Sequence, residues 1–119
     1  MIAAICWSVL AAIHALPALA LVRPALISKL YGVDAEADTF LLIRHRAALF
    51  LAMVVISIWA IFWPETRQLA TVSVSLSMVS FLVLYRRGGS PPALRSIAVA
   101  DLIGLPFLMV VGWQAFRAE

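Results

Sequence analysis

Apolar residues in this chain fall into four long runs, each bounded by charged residues, glycine or proline. The first goes from Ile2 to Val22 and stops at Arg23-Pro24. As a helix it would be about 31 Å long, enough to cross a bilayer. The second starts near Phe40, carries Arg44-His45-Arg46 in its opening turns and ends at Phe62-Trp63-Pro64. The third covers residues 69–85, is rich in hydroxyls, and gives way to Arg86-Arg87-Gly88-Gly89-Ser90-Pro91-Pro92, a loop by its glycine and proline content. The fourth covers residues 96–116. This pattern predicts one all-α integral membrane domain over residues 1–119, with spans at about 2–22, 40–63, 69–85 and 96–116. Four spans with short links imply a four-helix bundle of antiparallel neighbours, up-down-up-down.

The first run reads as a span and not as a cleaved signal. It has no basic n-region, it exceeds the usual apolar h-region, and Ala18-Leu19-Ala20 is only a loose match to a cleavage site. Pro17 is a candidate kink within it. After it, Leu26-Ile27-Ser28-Lys29-Leu30-Tyr31 predicts a short interfacial helix ended by Gly32. The following Asp34-Ala35-Glu36-Ala37-Asp38-Thr39 reads as the acidic start of the second span, where carboxylates suit the positive helix terminus.

Composition places the chain firmly in the membrane class: 65% of residues are hydrophobic and 13% charged, against roughly a quarter charged in soluble domains. The net charge of +3 does not point to nucleic acid, because the basic residues flank the apolar runs and form no stripe. They instead set orientation. Arg23 and Lys29 follow the first span and Arg86, Arg87 and Arg95 follow the third, while the opposite side has only Arg67 and Arg117. The positive-inside rule then predicts cytoplasmic loops at 23–39 and 86–95, with both termini on the outer side. Cys6 is the only cysteine, so no internal disulfide or paired-thiol centre can form.

Against this apolar background a few polar residues stand out. Asp101 is the only acid well inside a run, and a charge at that depth costs roughly 2.5 to 3.5 kcal/mol on insertion scales unless it has a partner or a cavity. Counted from the span ends, Asp101 lies about 7 to 8 Å deep, Arg44 to Arg46 about 6 to 9 Å, and His14 about 12 Å, all in the cytoplasmic half. Asp101 shares a helical stripe with Gly104, Leu108 and Gly112, and His14 shares one with Ala4, Ala11 and Ala18. Small residues mark close helix packing in lipid, so both polar groups are expected to face inward. Arg44 and Arg46 face about 200° apart, so one should pair with Asp101 and the other snorkel. Ser73, Ser77 and Ser80 form a hydroxyl stripe that either lines the same interior or bonds the backbone one turn earlier.

The early histidine, Leu30-Tyr31-Gly32 in the first loop, Ile43-Arg44-His45-Arg46-Ala47-Ala48-Leu49-Phe50 opening the second span and the acid opening the fourth together resemble small bacterial inner-membrane proteins of the DoxX-like kind. The resemblance implies a four-helix bundle of no established activity in a bacterial inner membrane, which puts the outer termini on the periplasmic side. Relatives sometimes carry the label phosphopantetheine adenylyltransferase, but that soluble α/β enzyme needs a His-x-Gly-His phosphate site, which this chain lacks. Small multidrug exporters use a glutamate in the first span, and here position 14 is histidine. Vitamin K epoxide reductase-like proteins need paired cysteines. Two histidines and one buried acid make no convincing metal site.

Two functional expectations follow. In the first, the protein is non-enzymatic: His14, Arg44, His45, Arg46, Asp101, Ser73, Ser77 and Ser80 form a buried polar cluster that binds a lipid or amphiphile headgroup, or supports a membrane partner or a second copy. No cofactor is expected in that case. In the second, it is a small enzyme or redox protein for a membrane-soluble substrate, with a b-type haem held between His14 and His45. Transport by an oligomer is a weaker third option.

Overall fold

The computed structural model describes residues 1–19, 21–23, 25–31 and 38–117. Every regular element among them is helical: α1 (Ile2–Leu19), α2 (Ala25–Tyr31), α3 (Asp38–Phe62), α4 (Arg67–Arg87) and α5 (Arg95–Arg117), with single 3-10 turns at Pro64–Thr66 and Pro92–Leu94. α1, α3, α4 and α5 are each long and apolar enough to cross a membrane.

Backbone hydrogen bonding, more than hydrophobicity, sets the helix ends. α1 stops before its apolar run does, because Leu21 N and Val22 N turn back to Ala18 O and Leu19 O, and Arg23 N bonds Leu19 O at 2.8 Å. Pro24 has no N–H with which to continue. At the far end of α3, Arg67 Nε donates to Ala60 O at 2.8 Å and Nη2 to Ile61 O at 3.2 Å, satisfying carbonyls that a helix terminus leaves open. α4 closes in a Schellman motif: Ser90 N bonds Tyr85 O, Gly89 N bonds Arg86 O, and Gly89 takes the left-handed conformation at φ 87°. α3 begins at Asp38, with its carboxylate in the first turn. The expected helix stop at Gly32 and the acidic residues Asp34 to Ala37 lie outside the described residues.

α3 packs on α1, α1 on α5, and α5 on α4, whereas α3 and α4 share much less surface. The main core comprises Trp7, Leu10, Val74, Met78, Leu108 and Val111, with Ala60 and Ala70. Of the α1 and α5 stripes, Ala11 and Ala18 are buried with His14, and Gly104 and Leu108 with Asp101, while Ala4 and Gly112 at their ends are only half-buried. Gly104 shows why α5 needs a gap there: a Cβ would come within 2.7 Å of both Ile13 Cδ1 and Met78 Cε. A second cluster of Ala47, Phe81, Ile97 and Ala98 closes the basic end, with Leu26 of α2 packed against it.

Candidate functional site

Because α3 and α4 are neighbours that barely touch, a side-opening groove of about 840 Å³ lies between them. α3 supplies Arg46, Leu49, Phe50 and Met53, and α4 supplies Ser73, Ser77, Ser80, Phe81 and Tyr85, while Gly88, Pro91 and Leu94 form its basic end. The walls are largely apolar. Arg46, the three serines and Tyr85 bring polar atoms to them.

Helical geometry separates the two arginines as expected and decides between them. Arg46 is half-buried, with its guanidinium carbon 5.0 Å from the Phe50 ring centre and 5.4 Å from that of Phe81. A desolvated cation over ring faces gains about 1 to 2 kcal/mol from the ring quadrupoles. Arg44 is exposed and sends Nε and Nη2 to Leu21 O, each at 3.3 Å, at the end of α1. Neither arginine forms the direct pair with Asp101 that the sequence suggested. Asp101 is only 7% exposed and, among the described residues, makes no hydrogen bond or ion pair. Arg46 is the charge that acts on it electrostatically, from beyond contact distance.

His14 lies beside the groove, buried, with its ring centre 6.0 Å from that of Phe50. Its Nδ1 is 2.9 Å from Leu10 O and its Nε2 is 3.3 Å from Ser77 Oγ, which ties α1 to α4. The serine stripe divides between the two expected roles. All three residues line the groove, Ser77 meeting His14 while Ser73 bonds Leu69 O at 2.9 Å and Ser80 bonds Leu76 O within their own helix.

No family model, curated protein or solved structure matches the chain. Geometry alone therefore carries the functional reading.

The structure does not bring His45 to His14. His45 is exposed and lines none of the groove, and both ring nitrogens of His14 already face partners. The bis-histidine haem arrangement is not formed. Among the described residues no group of three His, Cys, Asp or Glu side chains is placed to hold a metal ion. Sequence reasoning missed the aromatic members of the site. Phe50 follows Arg46 by one turn, and Phe81 and Tyr85 continue the Ser73-Ser77 stripe at the same four-residue spacing. That shared spacing was the available signal.

Proposed function

We propose that this is a non-enzymatic integral membrane protein, of the DoxX-like kind it resembles, whose α3/α4 groove binds an amphiphile with its headgroup at Arg46. Bilayer insertion is supported by the outward faces of the four long helices. Ile2, Leu42, Leu76 and Met109, one from each, are all more than 60% exposed, and a helix apolar all round is one whose outer face meets protein or lipid, not water. Trp59 stacks on Trp63 at 4.8 Å, and both are exposed, like Trp113 near the end of α5. Aromatics of this kind favour the interface opposite the basic loops. The up-down arrangement is supported by contacts: Arg44 meets Leu21 and His14 approaches Phe50, while Gln68 bonds Ala115 O and Thr71 lies beside Gly112. In each helix pair the partner number falls as the other rises. The basic end then lies in the cytoplasm and the termini outside.

One observation carries the binding reading. Arg46 presents a half-buried cation to an apolar, side-opening groove, with no acceptor bound to its N–H groups among the described residues. A guanidinium is built to meet phosphate or carboxylate oxygens. Lateral opening lets the chain of an amphiphile lie in the groove while its head reaches Arg46. Thermal melts of detergent-solubilised protein with dodecyl phosphate or dodecanol test this. Stabilisation should grow with dodecyl phosphate as mass action requires, be absent with dodecanol and vanish in Arg46→Gln. Equal stabilisation by both compounds, or an unchanged response of Arg46→Gln, would refute headgroup binding at Arg46.

A further inference from the structure

The serine hydroxyls along the groove have their protons committed elsewhere. Ser73 Oγ donates to Leu69 O and Ser80 Oγ to Leu76 O. Ser77 is decided by the ring beside it. His14 Nδ1 faces Leu10 O at 2.9 Å, and a carbonyl only accepts, so the single proton of the uncharged ring is on Nδ1. Nε2 is then the acceptor, and Ser77 Oγ donates to it at 3.3 Å. A hydroxyl has one proton and two lone pairs, so all three serines offer the groove acceptors. Arg46 is the reverse, with N–H donors only.

Their order along the groove matters as much as their polarity. The Arg46 guanidinium lies against Phe81, and Ser80 and Ser77 precede Phe81 by one and four residues, about 1.5 and 6 Å along the helix axis. A ligand with its head at the basic end therefore meets the Arg46 cation and the Tyr85 phenol first and serine acceptors within the next turn. Ser73 and the apolar Met53 lie deeper.

We infer that the groove selects anionic amphiphiles that carry a hydroxyl or amide N–H within a few bonds of the charged head. The anion accepts from Arg46, and the O–H or N–H donates to Ser80 or Ser77. A plain fatty acid has no donor at that depth, and an ester there sets acceptor against acceptor. The inference rests on the amphiphile reading of the groove proposed above, and its test separates the two.

Dissociation constants for N-palmitoylglycine, its ester isostere O-palmitoylglycolate, 3-hydroxypalmitate and palmitate would be measured on the purified full chain. The expected result is that N-palmitoylglycine binds about fivefold or more tightly than its ester isostere, or 3-hydroxypalmitate than palmitate by a similar factor, as one added hydrogen bond allows. The pair with the larger ratio distinguishes an amide from a hydroxyl source. Combined Ser77→Ala and Ser80→Ala should flatten the preference while palmitate still binds. Ser80→Ala alone serves if the double variant melts too low, because the Ser80 hydroxyl bonds only its own helix. Equal affinities within both pairs, with binding lost in Arg46→Gln, overturn the donor preference and leave the amphiphile reading standing. Failure of all four compounds to bind overturns both.

Discussion

Arg46 can sit half-buried because Phe50, one turn along α3, and Phe81, across the groove on α4, each present a ring to its guanidinium. Asp101 therefore acts on it only at a distance. A contact pair that lost one member would cost about 3 to 5 kcal/mol. Here Asp101→Asn should instead shift stability in a detergent melt by less than about 1 kcal/mol, because no hydrogen bond is lost, and adding Arg44→Gln should recover nothing. A large loss rescued by Arg44→Gln would restore the direct pair. The His14 to Ser77 contact differs, since it joins two helices. A double-mutant cycle with His14→Ala and Ser77→Ala should give a coupling of about 0.6 kcal/mol, and no more than about 1.7 kcal/mol, the range for polar contacts in membranes. Zero coupling would mean that the two side chains do not meet. That one of the two arginines turns inward was legible from their spacing. Which one was not, because the choice depends on Leu21 O from α1 and the Phe81 ring from α4, partners that only the tertiary packing supplies.

At the scale of elements, α5 is the helix most dependent on small residues, since Gly104 lies between Ile13 of α1 and Met78 of α4. Gly104→Leu should destabilise by about 1 to 3 kcal/mol through overpacking. Gly104→Ala should cost less, because the atoms in its way are the ends of flexible side chains. Melts of the two variants check that order, and equal tolerance would show that α5 does not approach α1 and α4 so closely. The four long helices were legible from apolar runs alone, and the inward faces of α1 and α5 from their alanines and glycines. The ends were less so. Val22 is as apolar as the residues before it, yet α1 has already closed through the Leu19 carbonyl, while Arg67 lies outside the apolar run yet begins α4 and caps α3.

For the molecule as a whole, the orientation proposed above rests on Arg86, Arg87 and Arg95 gathered at one end of the bundle and Trp59, Trp63 and Trp113 at the other. In a Cys6→Ala background, a Glu65→Cys variant should react with a membrane-impermeant maleimide in intact cells, and a Ser90→Cys variant only after permeabilisation. The reverse pattern would invert the topology. The groove was not legible in the sequence. It exists because α1 and α5 together hold α3 and α4 apart, and no single helix encodes that separation. The most direct test of its role is native mass spectrometry of gently extracted protein. One anionic adduct per chain should accompany the parent and Arg44→Gln and be missing from Arg46→Gln. A bare parent, or an adduct that survives Arg46→Gln, would contradict the assignment of the groove as an amphiphile site.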